Sequence, residues 1–227
     1  MSTELIENPP ESAETRTPGD GAIKQDRAKY RQILDGAARV FEGSGFDGAS
    51  MNDIARAAGV SKGTLYVYFP SKEALFEALV VERRREQAEQ LCRFPEGESV
   101  PAEVLRRFGL DLVTMMTQPS HLAQTRMVIA VAEKFPQIGR TFYEAGPRHG
   151  VLALARYVAA QAERGALDVE DAELAACQFV DMCKSREVMR AMFRYIERAD
   201  PAELARNVDA AVKVFLAAYG RKGADAA

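Results

Sequence analysis

Three serines divide the stretch between residues 50 and 71 into short helical segments. Ser50 stands three residues before an aspartate, the capping-box spacing at which each side chain reaches the other residue's backbone amide. Ser61 and Ser71 are placed to cap the two segments that follow, and Gly59 allows a left-handed turn after the first one. The sequence therefore predicts two short helices joined by a tight turn, followed by a long helix that begins at Ser71.

Apolar residues recur with the period of an α-helix from residue 24 onward, and no segment convincingly predicts a strand. One apolar stripe runs over residues 33–41, in a helix that we expect to end near Gly43 and Gly45. The same period predicts further helices over about residues 100–117, 120–134, 138–145, 147–164, 170–196 and 201–219. We therefore predict an all-α protein of nine or ten helices.

Residues 1–23 differ from the rest of the chain in composition. They carry five acidic residues against one basic residue, Arg16, with several prolines and glycines and almost no apolar side chains. Such a segment buries too little surface to offset its ordering entropy, so we expect a disordered leader over residues 1–23. Basic residues begin directly after it. We place one domain at residues 24–72 and a second at residues 73–227.

Composition also excludes several classes of protein. The formal net charge of the 227 residues is -3, which does not suit a polycation that coats nucleic acid. The apolar runs, such as residues 127–132, fall far short of the roughly 20 residues that a membrane span needs. Three cysteines suit a reducing cytoplasm, with Cys177 and Cys183 expected to be buried structural thiols. With two histidines and no ligand spacing, we expect no metal and no cofactor.

The two short helices meet the packing needs of a helix-turn-helix, in which two helices cross steeply through a turn of about three or four residues. Ala55 is small enough for the crossing, Gly59 suits the turn, and Leu65 is apolar on the inner side. The second helix then presents Lys62 and Tyr66 outward. That surface is small, polar and aromatic, and it suits close approach to a DNA groove.

The segment over residues 33–79 resembles the DNA-binding domain of the TetR/AcrR family of transcriptional repressors. The resemblance rests on the run AGVSKGTLYVYF and the SKEAL that follows it. Residues 126–165 are similar to the regulatory domain of AefR-like members. The resemblance implies a three-helix DNA-binding domain joined by a long helix to a helical-bundle regulatory domain. It also implies a homodimer on a pseudo-palindromic operator in double-stranded DNA, released when a small effector enters the body.

The resemblance further implies which residues touch DNA. Base-reading positions fall on Asn52, Lys62, Gly63, Thr64 and Tyr66, and phosphate contacts fall on Ser50, Tyr66, Tyr68 and Lys72. A basic arm before the first helix, which includes Lys24 and Arg27, matches a segment that touches the minor groove or the DNA backbone. The plainer alternative is that the two tyrosines pack as ordinary aromatics. We expect Arg83, Arg84 and Arg85 to be solvated or paired within the protein, because successive helical residues point in different directions.

Adaptable apolar side chains in the second half of the chain form a candidate effector pocket, although each of them also suits the core. The candidate pocket residues are Phe108, Leu112, Met115, Met116, Met127, Phe142, Tyr143, Leu154, Tyr157, Phe179 and Met182, together with the polar Gln124. Candidate polar anchors are His121, Gln124, Arg126, Tyr143 and His149. Because these walls are apolar and the second half of the chain is neutral overall, we expect a small, largely apolar effector.

The last helix carries a wide apolar stripe, which predicts burial against a second subunit. The stripe consists of Leu204, Val208, Ala211, Val212, Phe215 and Tyr219. The alternative is a terminal helix partly buried in a monomer. As a whole, the sequence predicts a dimeric repressor rather than an enzyme, because it contains no nucleophile with a base and no phosphate-binding loop. A ligand-independent DNA-binding protein or an activator would carry the same helix-turn-helix.

Overall fold

A computed structural model describes residues 20–95 and 99–221, without the side chains of residues 20–25, 89 and 90. Within these ranges the chain forms ten α-helices, a π-helical turn and one isolated β-bridge, so the all-α prediction is confirmed. The helices are α1 (Asp20–Gly48), α2 (Met51–Ala58), α3 (Lys62–Tyr68), α4 (Lys72–Leu91), α5 (Pro101–Met116), α6 (Pro119–Ala132), α7 (Pro136–Tyr143), α8 (His149–Glu163), α9 (Ala172–Met192) and α10 (Pro201–Tyr219), and the π-helical turn Glu144–Arg148 joins α7 to α8.

The first helix is longer than the sequence predicts. It begins at Asp20, so residues 20–23 of the predicted disordered leader have a helical backbone, whereas residues 1–19 lie outside the described part. The helix is interrupted at Gly45, within the predicted end near Gly43 and Gly45, and the φ of 70° there is in the left-handed region that glycine adopts without strain. Helical backbone resumes after this kink and runs to Gly48.

The serine caps form as predicted. The side chains of Ser50, Ser61 and Ser71 accept from the backbone amides three residues further on, at N···O distances of 3.1, 3.0 and 3.2 Å. Gly59 ends α2 at φ 65° and ψ 36°, the left-handed conformation that makes the tight turn into α3. Local chemistry therefore determines where α2, α3 and α4 begin.

The N-terminal bundle, formed by α1 to α3 and the first half of α4, has an aromatic core. The ring centres of Phe41 and Phe76 are 5.0 Å apart, and those of Phe46 and Phe76 are 5.2 Å apart. This core extends into the rest of the molecule, because the Phe135 ring lies 5.7 Å from Phe46 and Ile138 of α7 is fully buried in the same cluster. The N-terminal bundle is therefore packed directly against α6 and α7.

The C-terminal body, formed by α5 to α10, has its own core. Phe108, Phe179 and Phe215 come from α5, α9 and α10 and are completely buried in it. Helices α5 and α10 approach closely at Gly109, where an added Cβ would lie 2.8 Å from Cγ1 of Val208. Among the described residues, no helix is both long and apolar enough to cross a membrane.

Candidate nucleic-acid interface and regulatory cavity

The helix-turn-helix is held in place by α1. Gln32 donates from Nε2 to the carbonyl oxygen of Ala58 at 2.7 Å, and Arg39 donates to that of Ala57 at 2.5 Å, so two orphan carbonyls at the end of α2 are satisfied. Ala55, predicted at the crossing of α2 and α3, is buried, and α1 and α2 approach each other closely at another position. A Cβ on Gly36 would lie 2.6 Å from the Cα of Ala58, so α1 and α2 need a glycine there.

The outer side of α3 presents most of the predicted base-reading residues. Lys62, Gly63 and Tyr66 are exposed, and the Lys62 ammonium lies 6.0 Å from the centre of the Tyr66 ring. A Cβ on Gly63 would meet only the Ser61 hydroxyl, at 3.8 Å, so nothing inside the protein requires a glycine at this position. Val67, which the sequence reasoning missed, is 84% exposed on the same short helix. In the sequence, the available signal was its position four residues after Gly63, which puts the two residues on the same side of the helix.

Several predicted contact residues also hold the local structure together. Thr64 is half-buried, and its hydroxyl lies 2.8 Å from that of its cap, Ser61. The Tyr68 hydroxyl donates to Asp26 at 2.6 Å, and this hydrogen bond raises the pKa of Tyr68. Ser50 caps α2, as described above. These side chains reach DNA only if their present hydrogen bonds are shared or exchanged.

Lys72 is engaged within the protein. Its ammonium donates to the carbonyl oxygens of Phe46, Asp47 and Ala49 at 2.7, 3.4 and 3.0 Å, and it lies 4.6 Å from the Phe46 ring centre. An ammonium has three N–H donors, and two of them make short hydrogen bonds here, while the contact to Asp47 is long. This geometry favours a structural role at the end of α1 over the predicted phosphate contact.

The remaining predicted DNA contacts lie on α1 and α2. Arg27 and Asn52 are exposed, as a DNA contact requires. The side chain of Lys24 lies outside the described part of the chain. Arg56, also exposed on α2, forms an ion pair with Asp53 at 2.5 Å, so its charge is partly neutralised.

A cavity of about 450 Å³ lies between the second half of α4 and the body. Its wall is mostly apolar and comes from helices α4 to α9 and the π-helical turn. The lining residues are Arg84, Gln87, Ala88, Leu91, Cys92, Phe108, Leu112, Met115, Met116, His121, Thr125, Phe142, Tyr143, Gly146, Pro147, Gly150, Val151, Cys177, Val180, Asp181, Lys184 and Met192. This volume is typical of sites for small organic molecules.

Half of the predicted pocket residues line this cavity, namely Phe108, Leu112, Met115, Met116, Phe142 and Tyr143. The other half do not. Gln124 and Met127 line a separate, smaller hollow beside α1. Leu154, Tyr157, Phe179 and Met182 pack in or against the body's core instead. An apolar stripe shows that a helix face is turned away from solvent, but not whether that face packs against other side chains or lines a cavity.

The buried guanidinium of Arg84 is the main feature that the sequence reasoning missed. Arg84 is 3% exposed, and its Nη1 donates to Gln87 Oε1 at 2.9 Å and lies 3.0 Å from His121 Nδ1. Its second Nη reaches Thr125 only at 3.4 Å, while its Nε has no partner. Phe142 stacks on it, with the ring centre 4.1 Å from the guanidinium carbon. We expected Arg83, Arg84 and Arg85 to be either solvated or paired within the protein, and Arg84 is paired within the protein.

Burial determines the ionisation of this pair. Desolvation lowers the pKa of Arg84 to about 10, so Arg84 stays charged at neutral pH. Desolvation and the neighbouring Arg84 charge lower the pKa of His121 to about 3, so its ring is neutral. His121 was among the candidate polar anchors. Within the described ranges, no three His, Cys, Asp or Glu side chains are grouped so that they could hold a metal ion.

The predicted dimer stripe on α10 lies inside the chain's own body. Leu204, Val208, Ala211, Val212 and Phe215 are all buried there, and Tyr219 is half-buried with its hydroxyl donating to Gln178 at 2.6 Å. The stripe was therefore wrongly assigned to a subunit interface. Helices α5 and α9 already cover it, which a helical period alone does not show.

Comparison with known proteins identifies both halves of the chain. Residues 33–79 match the family model for bacterial regulatory proteins of the tetR family, and residues 103–221 match that for the C-terminal domain of AefR-like transcriptional repressors. The chain belongs to the TetR family. Both matches confirm the family that the sequence resembles.

Solved structures of TetR-family regulators share the whole described fold. A regulator from Mesorhizobium loti is 31% identical and superimposes with a TM-score of 0.78, covering 87% of this chain and 99% of its own. The flavonoid-responsive regulator FrrA is 30% identical with a TM-score of 0.74, covering 87% of this chain and 100% of its own.

Among curated relatives, the regulator EthR of Mycolicibacterium smegmatis is 28% identical over 188 residues, which are 80% of this chain and 83% of EthR. The regulator YvdT and the fatty acid metabolism regulator protein, both of Bacillus subtilis, are 46% and 38% identical, but over 56 and 69 residues only. Those matches span 29% and 36% of the relatives' own lengths.

Proposed function

We propose that this TetR-family chain is a dimeric, ligand-responsive repressor that binds a pseudo-palindromic operator. The observation that carries the proposal is the position of α4. Its first half contributes Leu75 and Phe76 to the core of the N-terminal bundle, and its second half contributes Arg84, Gln87 and Leu91 to the cavity wall. One helix thus connects the helix-turn-helix with a site for a small molecule. Regulators of this family are not enzymes.

We assign base reading to the outward side of α3. Lys62 and Tyr66 supply hydrogen-bond donors, and Gly63 lets the helix approach the groove closely. Val67 is placed to contact a thymine methyl group, the apolar feature of the major groove. Arg27 and the exposed end of α1 supply sequence-independent contacts to the phosphates.

The cavity and the N-terminal bundle share α6 and α7 as well as α4. His121 and Phe142 line the cavity, while Val128 and Ile138 of the same two helices are buried beside the bundle's aromatic core. The Thr141 hydroxyl also donates to Glu77 at 2.6 Å, which ties α7 to α4. An effector that repositions these helices would therefore move the helix-turn-helix.

For the dimer we propose the outward face of α9 and α10. Leu174 and Met189 on α9 are 52% and 54% exposed, and Val214 on α10 is 54% exposed. Three large exposed apolar residues on two helices that pack together suit an isologous interface between two copies. Sedimentation of Val214→Glu tests this, and Ile129→Glu is the matched control because Ile129 is 64% exposed on α6. Only the first variant should shift the chain toward monomers.

We propose a small organic effector with a mainly apolar body. The cavity volume and the Phe, Met and Leu side chains in its wall support this, and FrrA, which shares the fold, is described as flavonoid-responsive. Aromatic rings would stack on Phe108 and Phe142.

Selection from random duplexes followed by footprinting tests the DNA-binding part of the proposal. We expect two inverted half-sites whose centres lie one helical turn apart, roughly 34–36 Å, or a small multiple of that distance. Lys62→Ala should lower affinity for the selected site by about 1–3 kcal/mol and relax one base preference, whereas Ile129→Ala should change neither. A single asymmetric half-site would contradict the dimeric mode.

Calorimetry of effector binding with and without operator tests the regulatory part. The coupling free energy should be about 1–3 kcal/mol and reciprocal, so operator must weaken effector binding as much as effector weakens operator binding. Equal effector affinities in the two titrations would leave a DNA-binding protein that no ligand controls.

A further inference from the structure

The cavity has one feature that an apolar effector does not use, a buried cation in its wall. We infer that the effector carries an anionic oxygen, of the carboxylate or phenolate type, and that this oxygen pairs with Arg84. The inference rests on the proposed ligand-responsive function and specifies the chemistry of its effector.

The guanidinium is held in position but not saturated. Gln87 and His121 engage one Nη atom, the contact from the other to Thr125 is long at 3.4 Å, and Nε has no partner. Every partner of Arg84 is neutral. An arginine has five N–H donors, and a carboxylate or phenolate oxygen is the acceptor that binds such a fork most strongly.

The charges in the cavity wall leave Arg84 without a counter-ion. Asp181 and Lys184 form an ion pair with each other at 2.6 Å. The ring of His121, which lies beside Arg84, is neutral. In the part of the chain that the structure describes, no carboxylate forms an ion pair with Arg84. A ligand with one negative charge would therefore neutralise the cavity wall.

The surrounding backbone makes room for this arginine. The Cδ of Arg84 lies 2.9 Å from where a Cβ on Gly146 would stand, so only glycine fits there without displacement of the side chain. Gly146 belongs to the π-helical turn between α7 and α8, and such turns are frequent at functional sites. If position 84 had only a structural role, an apolar side chain would stabilise the fold more, because a buried charge without a counter-ion costs free energy.

Two dyes test the inference directly on the free protein. Anilinonaphthalene sulfonate and phenylnaphthylamine share one aromatic skeleton, and only the first carries an anionic group. Their fluorescence titrations are compared for the parent chain and for the Arg84→Met, Arg84→Lys and Met116→Trp variants. Met116 lines the cavity, so its replacement by a larger side chain tests whether the dyes bind there.

We expect Arg84→Met to weaken binding of the sulfonate dye by about 10- to 100-fold, the usual effect of a hydrogen bond to a charged group, and to change binding of the neutral dye by less than about 3-fold. Arg84→Lys should retain most of the affinity for the sulfonate dye, and Met116→Trp should lose both dyes. Loss of both dyes alike in Arg84→Met, or of neither, overturns the inference. Unchanged binding of both dyes to Met116→Trp overturns it too.

No DNA is present in these titrations, so their outcome is independent of the repressor proposal. If the sulfonate dye binds through Arg84 but no ligand changes operator affinity, the anion-binding site is supported and the proposed regulatory function is contradicted. If a neutral ligand releases the operator while Arg84→Met leaves both dyes unaffected, the function stands and the anionic effector is excluded.

Discussion

The neutral, buried histidine makes the stability of this protein depend on pH. His121 is 5% exposed and its folded-state pKa is lowered to about 3, whereas the unfolded chain holds the same ring near its ordinary value of 6.5. As the pH falls below 6.5, the unfolded chain binds a proton that the folded protein does not bind. The contribution of neutral His121 to stability is therefore fully present above pH 6.5 and is lost progressively as the pH falls toward 3.

The magnitude follows from the two pKa values. Between pH 7 and pH 5, protonation of the unfolded chain alone should lower the free energy of unfolding by about 2 kcal/mol. In this range the result depends almost entirely on the unfolded-state pKa, because the folded protein remains unprotonated at both pH values.

Urea unfolding at pH 7, 6 and 5 measures this loss, and the chain offers a matched control. It contains two histidines, and the other one, His149, is exposed. His121→Gln should remove the loss of about 2 kcal/mol between pH 7 and pH 5, whatever its effect at neutral pH, whereas His149→Gln should keep it. An equal loss in His121→Gln and in the parent chain would refute the reasoning, because some other group would then take up the proton.

Three further predictions concern packing and the DNA interface. Gly109→Ala should lower the free energy of unfolding by about 1–3 kcal/mol in urea titrations, because the new methyl group would lie 2.8 Å from Val208. Gly63→Ala should leave stability unchanged or slightly higher but weaken operator binding in mobility-shift assays, whereas Gly43→Ala, which also has free space, should leave operator binding unchanged. Lys72→Met should cost about 1–3 kcal/mol of stability by leaving carbonyls unpaired. Lys72→Met should not alter the salt dependence of DNA binding. If the slope of log affinity against log salt concentration fell by about one unit, Lys72 would contact a phosphate after all.

Local spacing was sufficient to predict the element order and the helix-turn-helix. The caps at Ser50, Ser61 and Ser71 and the turn at Gly59 depend on residues within a few positions of one another, so the sequence contains all the information they need. The outward side of α3 followed from the same local pattern. The predicted end of the first helix near Gly43 and Gly45 corresponds to the break at Gly45, but the local pattern did not show that helical backbone resumes after it and buries Phe46.

The roles of the longer helices were decided by tertiary packing. The stripe on α10 and four of the predicted pocket residues are apolar in the right period, yet the structure packs them in or against the chain's own core. Arg84 shows the converse, since two arginines flank it and only the rotation of α4 turns it inward. A helical period determines that one face is buried, but which helix or cavity covers that face depends on residues far away in the chain. Only the tertiary structure therefore placed a charge beside His121 and Phe142, and that charge gives the cavity its chemistry.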